Sequence, residues 1–304
     1  MYCEAVEYRR GRSTIAPMLL ADLHCHSRAS DGAYSPAEVA ARAAGHGVTL
    51  WALTDHDTLD GVPEAQAAAA QLGMDFLCGA EISVSYAGKT VHIVGLGMDS
   101  SNAALLQGLA QTRSGRAGRM QAMADKLAAL GIAGAYQGAL AFSETEDGLS
   151  RTHLAQFLVQ AGHCASMQAA FDRYLADGQA AYVPFEWAKL QDAVGWISGA
   201  GGVAVIAHPA RYKFADALEQ AFFTDFVAAG GQAVEIMTGS HQPHELAPYA
   251  DLAKQFGLAH SCGSDFHGVG NEDYDLGHYP YISLKGIAPV WDLLQTRILP
   301  AARV

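Results

Sequence analysis

Short apolar runs alternate along this chain with amphipathic, alanine-rich stretches of helical length, and this alternation constrains the fold more than any other feature. The apolar runs cover residues 19 to 24, 50 to 54, 75 to 83, 90 to 97, 202 to 207, 233 to 237 and 258 to 262. Punctuated by Gly, Pro and Asp, they read as buried strands. Between most of them lie helical stretches at 36 to 45, 62 to 72, 189 to 200, 214 to 229 and 243 to 256. Ser35-Pro36-Ala37-Glu38 opens the first of these with capping-box spacing and a proline at the first helical position. The pattern predicts an α/β fold with a parallel sheet. Seven strands are about what a closed or nearly closed barrel needs, and in such barrels chemistry gathers at the carboxyl ends of the strands.

From about residue 99 to 183 the strand signal stops, and helical segments 102 to 130, 151 to 161 and 166 to 176 follow one another. This predicts a barrel domain of residues 18–98 and 184–304 with a helical insertion, residues 99–183, capping the substrate. Residues 1–17 hold Arg9-Arg10-Gly11-Arg12 but no apolar stretch before Met18, so they read as an extension outside the fold rather than a signal peptide. The 304 residues are 50% apolar and 16% charged, which suits a sizeable core and excludes a disordered chain. A formal charge of -12 argues against duplex DNA and anionic membranes as partners. No apolar run approaches the roughly 20 residues of a membrane span. The five cysteines are scattered and form no C-x-x-C pair, which argues against a disulfide framework or zinc ribbon and fits a reducing cytoplasm.

Polar residues at or just after the strands are His24 and His26, Asp55 and His56, Glu81, His92, His208, and Asp265 and His267. So many such coincidences argue for one site at a barrel mouth. His24 and His26 lie two apart in an extended segment and share a face, while Cys25 points away. Asp265 and His267 repeat that spacing, and Asp31 lies in a polar turn after the first strand. Six histidines and three carboxylates without a thiolate suit Mn, Fe or Zn, with Mg also possible. Nine ligands are too many for one ion. With three or four per open site and a carboxylate such as Glu81 bridging, two or three ions fit, and they would activate water for hydrolysis of a phosphate ester. Asp55 and Asp57 flank His56: Asp55 could orient it, Asp57 could do likewise or contact a metal-bound water, and either could instead cap the following helix. No side chain is assigned as the catalytic acid or base. His46, His153, His163, His241, His244, His260 and His278 fall outside these motifs and read as surface or core residues. Glu235 ends a strand but has no evident partner and reads as structural.

A basic patch for an anionic substrate lies in the insertion. Arg113, Arg116 and Arg119 recur every third residue, and Arg113 and Arg116 share a helical face with Met120, Met123, Leu127 and Leu130. A stripe that turns from apolar to arginine suggests a helix leaving the core for a cleft, where guanidinium groups grip phosphate. Arg151-Thr152-His153 begins the next helix, a plausible anion site, and Arg211 follows His208-Pro209. The competing reading of each arginine is a solvated surface charge.

Asp22-Leu23-His24-Cys25-His26-Ser27, Thr54-Asp55-His56-Asp57, Ala207-His208-Pro209 and Ser264-Asp265-Phe266-His267 together resemble, in order, the motifs of the polymerase and histidinol phosphatase (PHP) superfamily of metal-dependent phosphoesterases. Gly79-Ala80-Glu81-Ile82-Ser83 and Val91-His92-Ile93-Val94-Gly95, with the helical insertion, resemble one branch of it. The resemblance implies a distorted (β/α)7 barrel, similar to a TIM barrel, with a trinuclear manganese-type centre. By motif, its ligands would be His24, His26, Asp31, His56, Glu81, His92, His208, Asp265 and His267. It also favours Arg116, Arg119 and Arg151, with Thr152 and Arg211 nearby, as substrate contacts. Members remove phosphate from nucleoside 3′,5′-bisphosphates or trim short oligonucleotides from the 5′ end. The expected reaction is therefore hydrolysis of a small nucleotide, a nucleoside 3′,5′-bisphosphate giving the 5′-monophosphate plus phosphate. A 5′-3′ exonuclease acting on short RNA is the alternative within that chemistry. A structural metal-binding module is the alternative outside it. Metal-assisted C–N hydrolysis fits less well, because no lysine ends a strand.

Overall fold

A computed structural model describes residues 19–143, 145–268 and 275–301. The extension expected at 1–17 lies outside the described residues. The strands are β1 (Ala21–Asp22), β2 (Leu50–Leu53), β3 (Asp75–Tyr86), β4 (Lys89–Leu96), β5 (Ala188–Lys189), β6 (Val203–Ile206), β7 (Ala233–Thr238) and β8 (Ala259–Gly263). Seven follow one another as β1-β2-β3-β4-β6-β7-β8, and the short β5 pairs with the outer part of β3. The two ends of this path meet. Leu23 N donates to Cys262 O at 3.0 Å, and Cys25 bridges Phe266 in parallel, so the sheet closes into a barrel.

The expectation of a uniformly parallel sheet needs one correction. β4 runs antiparallel to both neighbours, β3 and β6. The cause is the two-residue turn Ala87-Gly88, whose φ angles of 48° and 77° form the left-handed hairpin that returns a strand directly, where a parallel partner would need a helical crossover. Reversal places the amino-terminal half of β4 at the end of the barrel where the other strands finish.

Helices α1 (Pro36–Gly45), α2 (Val62–Leu72), α8 (Leu190–Gly199), α9 (Asp216–Ala228) and α10 (Leu246–Phe256) surround the barrel. The capping box at Ser35 is formed, with the Ser35 side chain accepting from Glu38 N and Glu38 accepting from Ser35 N at 2.8 Å. Between β4 and β5 come α3 (Ala103–Arg113), α4 (Arg116–Ala129), α5 (Ala135–Leu140), α6 (Arg151–Gln160) and α7 (Met167–Ala170). Two apolar cores result. Leu105 and Leu109 of α3 join the barrel core, whereas Met120, Met123 and Leu127 of α4 join Leu154, Leu158 and Leu175 in a separate one. Trp187 is buried but belongs to neither, and stands at the seam between them. No helix of the described residues is long and apolar enough to cross a membrane.

Candidate metal centre

The barrel delivers each expected ligand to one mouth. Beyond β1 the chain stays extended, so His24 and His26 point inward, while Cys25 points away. Its thiol donates to Ala52 O at 3.4 Å and receives the Trp51 indole N–H at 3.2 Å. The following loop doubles back, with Gly32 N donating to Ser27 O at 2.9 Å, and carries Asp31 into the mouth. A Cβ on Gly32 would stand 2.4 Å from His26 O, and one on Gly263 would stand 2.4 Å from His24 Cβ, so both approaches require glycine. The β2–β3 pairing continues outward into a bridge between His56 and Glu81. His92 lies early in its strand, yet the reversal of β4 brings it to the same rim, where its carbonyl receives Ala207 N at 3.2 Å.

Glu81, fully buried, sits at the centre. One carboxylate oxygen lies 2.9 Å from His92 Nδ1, 2.9 Å from His208 Nε2 and 3.3 Å from His24 Nε2. The other lies 2.9 Å from His56 Nδ1 and 3.3 Å from His26 Nε2. Asp265 Oδ1 approaches His24 Nε2 at 3.4 Å and His26 Nε2 at 3.3 Å. Asp31 faces His267 Nε2 at 3.4 Å and His56 Nε2 at 3.8 Å. The ligand atoms form four overlapping groups: His26-Asp31-His56-His267, His24-Glu81-His208, His24-His26-Asp265 and His56-Glu81-His92.

His208 Nε2 and Glu81 Oε1 pair at 2.9 Å, but five other atoms are close to neighbours without being aimed at them. His26 Nδ1, Asp31 Oδ1, His56 Nδ1, Glu81 Oε2 and His92 Nδ1 are buried and make no hydrogen bond, although several lie within hydrogen-bond distance of a neighbour. Buried polar atoms are normally paired. Atoms that converge on shared points instead of pairing are what divalent cations require, and the nitrogen and oxygen donor set fits such ions. The electrostatics agree. Burial opposes ionisation of Glu81, yet His92, His24 and His56 hold its carboxyl well below the usual range. Asp31 is likewise depressed against burial by His56, His267 and His26. Asp265 is depressed against burial by Arg211 and His24. His24 and His26 bring their Nε2 atoms to 3.2 Å, and so share at most one extra proton. Glu235, Glu81 and Asp265 overcome burial to favour it on His24, while burial, His267 and His56 push His26 down to about 3.

Around the candidate ligands stands a set of residues that holds them in place. Glu235, read from the sequence as structural and partnerless, proves to have two partners: one oxygen takes His24 Nδ1 and the other His208 N, each at 2.7 Å. The first contact fixes the tautomer and orientation of His24. The second pins a strained backbone, because His208 has φ 27°. His267 Nδ1 meets Asp265 O at 2.9 Å, leaving Nε2 to face Asp31. Asp55 neither orients His56 nor caps a helix. It accepts from Ser27 N and Ser27 Oγ at 2.7 Å and from Ser30 Oγ at 2.6 Å, clamping the loop that bears His26 and Asp31. Burial pushes its carboxyl up to about 6. Asp57 accepts from Ser83 N at 2.7 Å and Ser83 Oγ at 2.9 Å and ion-pairs with Arg116. Its carbonyl receives Arg113 Nη1 at 2.7 Å.

The insertion brings three arginines together beside the mouth. Arg116 and Arg119 are 5% and 6% exposed, and their guanidinium carbons stand 4.8 and 5.3 Å from the Trp187 ring centre. Arg119 and Arg151 share Tyr182 at 5.6 and 5.9 Å. Burial, with Arg151 next, lowers Arg119 to about 10. Arg151 also pairs with Asp177 at 3.1 Å, and Thr152 N donates to Ser150 Oγ at 3.1 Å. Arg211, its side chain half exposed, lies apart from this cluster and reaches Asp265 Oδ2 at 2.7 Å.

Known proteins carry the same architecture. A 3′,5′-nucleoside bisphosphate phosphatase of Chromobacterium violaceum is 48% identical over 92% of this chain and 98% of its own length. A 5′-3′ exoribonuclease of Haemophilus influenzae is 41% identical over 81% of this chain and 89% of its own. A solved structure described as an amidohydrolase from Chromobacterium violaceum, with bound sulfate and no metal, superposes with a TM-score of 0.89 at 47% identity, covering 92% of this chain and 98% of that one. A solved structure from Bifidobacterium adolescentis, described as that of a metal-dependent phosphoesterase by prediction, superposes with a TM-score of 0.76 at 26% identity, covering 92% and 96%. The PHP domain family model matches residues 22–238, a span that runs from the first motif to the end of β7, and the chain belongs to that family of metal-dependent phosphoesterases.

Proposed function

We propose that this hydrolase removes phosphate from a small bis-phosphorylated nucleotide, converting a nucleoside 3′,5′-bisphosphate to the 5′-monophosphate. The observation that carries the reading is the crowding of Arg116, Arg119 and Arg151 beside the metal centre. Like charges packed on aromatic rings in a buried place repel one another, and Arg116 Nε and Arg119 Nη2 are buried donors without hydrogen bonds. A second phosphate would relieve both conditions by offering bidentate acceptors. The ligand set would be His24, His26, Asp31, His56, Glu81, His92, His208, Asp265 and His267, divided among two or three ions with Glu81 shared. Mn2+ is our choice on the nitrogen and oxygen donors, with Fe, Zn or Mg as substitutes. When bound, such ions supply activated water and neutralise phosphoryl oxygens. The chain's own residues do the rest: Glu235 and Asp55 hold ligands in place, Asp57 and Ser83 set Arg116, and the arginines orient the substrate. Residues 99–183 form the substrate-capping unit on this reading, and the free thiols of Cys25, Cys78, Cys164 and Cys262 support a cytoplasmic location.

A 5′-3′ exonuclease reading is favoured by the Haemophilus influenzae relative and by a cleft of about 480 Å³ beside the Asp31 loop. Arg28, Phe142, Gln156, Val159 and Met167 line it, with room and chemistry for a further nucleotide. Metal-reconstituted protein incubated with 3′,5′-bisphosphates, mononucleotides and 5′-phosphorylated oligoribonucleotides separates the two. Phosphate release confined to the bisphosphates supports the first reading, mononucleotide release from oligomers supports the second, and release from none rejects both.

A further inference from the structure

The start of α6 is tied to the candidate metal centre. Ser150, its N-cap, accepts Thr152 N at 3.1 Å and donates its hydroxyl to Asp31 Oδ2 at 2.9 Å, so this helix end is tied to an expected ligand. The Ser150 backbone N–H donates to His153 Nδ1 at 3.1 Å. A backbone N–H can only donate, so Nδ1 is the accepting nitrogen, and the neutral ring carries its proton on Nε2. Among the described residues, none accepts that proton. The ring is only 1% exposed, and its electrostatic neighbours are Asp31, Arg116, His267 and His56. A donor left without a protein acceptor, on a ring this little exposed, is free to serve a bound ligand.

Capping does not require histidine. The third helical position of a capping box is ordinarily Glu or Gln, and a carboxylate here would repel a phosphate approaching the arginines. His153 closes the cap with one nitrogen and leaves a donor on the other.

We infer that His153 is a substrate-binding residue whose Nε2–H donates to an oxygen of the phosphoryl group lying between Asp31, His56 and His267 on one side and Arg116 on the other. The inference rests on the phosphoesterase reading above.

Two substitutions separate binding from capping. In His153→Asn the amide oxygen stands near the place of Nδ1, keeping the cap but losing the distal donor. In His153→Gln the amide oxygen can close the cap, as glutamine ordinarily does at this position, while the amide N–H reaches towards the place of Nε2. With Mn-loaded protein and adenosine 3′,5′-bisphosphate, His153→Asn should lower kcat/KM by about 10- to 100-fold, the range for a hydrogen bond to a charged acceptor. Its Tm and Mn content should stay at wild-type values. His153→Gln should keep Tm and retain more kcat/KM than His153→Asn. Wild-type kcat/KM in His153→Asn, or losses in both variants that track Tm or Mn content, would overturn the inference. Wild-type protein that frees no phosphate from any nucleotide would instead overturn the phosphoesterase reading. Titration of inorganic phosphate into Mn-loaded wild type and His153→Asn then still decides the matter, since equal affinity overturns the role of His153.

Discussion

Glu235→Gln is nearly isosteric, yet the structure predicts a large effect because both carboxylate oxygens are acceptors. One faces the His24 ring nitrogen and the other the His208 backbone N–H, each at 2.7 Å and each buried. A glutamine can supply only one acceptor. If its amide nitrogen faces His208 N, two donors confront each other and a strained backbone loses its tether. If it faces His24, the ring must accept at Nδ1, which puts its proton on Nε2, the nitrogen nearest Glu81 and Asp265. An unsatisfied buried donor costs about 1–3 kcal/mol, and loss of such a ligand-orienting partner lowers metal affinity about 10- to 100-fold. Metal-free Glu235→Gln should therefore melt several degrees below wild type, roughly 2–4 °C per kcal/mol in a domain approaching this size. Competition against a graded chelator series, with bound Mn counted by mass spectrometry, measures the affinity. An unchanged Tm together with wild-type affinity would refute the claim that Glu235 holds His24 and His208.

Four further outcomes follow from the same geometry. His26→Ala or Asp265→Ala should abolish turnover and lower metal content while circular dichroism stays that of the folded chain; full activity in either would remove the site assignment. Arg119→Ala should raise KM for bis-phosphorylated nucleotides by about tenfold, the loss of roughly one charge-assisted contact, with kcat nearly kept, and unchanged kinetics would take the insertion out of recognition. Burial raises the Asp22 carboxyl from 3.8 to about 6, so the folded state holds its proton more tightly than the unfolded chain. The stability this contributes is present below pH 4 and is lost as pH rises through 6, about 3 kcal/mol in all at 1.4 kcal/mol per pKa unit. Denaturant titrations of metal-free wild type and Asp22→Asn should show their stability difference falling across that window, and a pH-independent difference would contradict the reasoning. Chelation should lower Tm reversibly, because an ion present at a hundred times its Kd adds about 2.7 kcal/mol; equal melting with and without Mn2+ would mean that no such site exists.

Much of the barrel could be read in the sequence, since buried strands and amphipathic helices have distinct periods, and the first cap sits where Ser35-Pro36-Ala37-Glu38 indicates. Strand direction could not be read from the 90–97 run itself, because a strand buried on both faces looks alike in either orientation. The signal was the short connection at Ala87-Gly88. His26, Glu81 and the other motif residues were legible because their spacing follows strand geometry. Glu235 was not, because its partner His24 is 211 residues away and reaches it only through barrel closure. It also lies inside β7 and not at its end, so the pattern of polar residues at strand ends does not single it out. Asp55 is a similar case. Adjacency suggested His56 or a helix, whereas its hydrogen bonds cross to Ser27 and Ser30 on the preceding loop.

The two apolar cores meet across a seam of polar bonds: Ser150 on Asp31, Arg116 on Asp57 and Ser83, and Arg113 on the Asp57 carbonyl, with Trp187 between. The barrel mouth and the insertion arginines are thereby supported by separate cores. Repacking within the α4–α7 core reaches the barrel mouth only through these few bonds, of which Ser150 on Asp31 touches an expected ligand. If the arginines hold the substrate as proposed, drift in that second interior would reset them through contacts that lie away from most of the histidines and carboxylates.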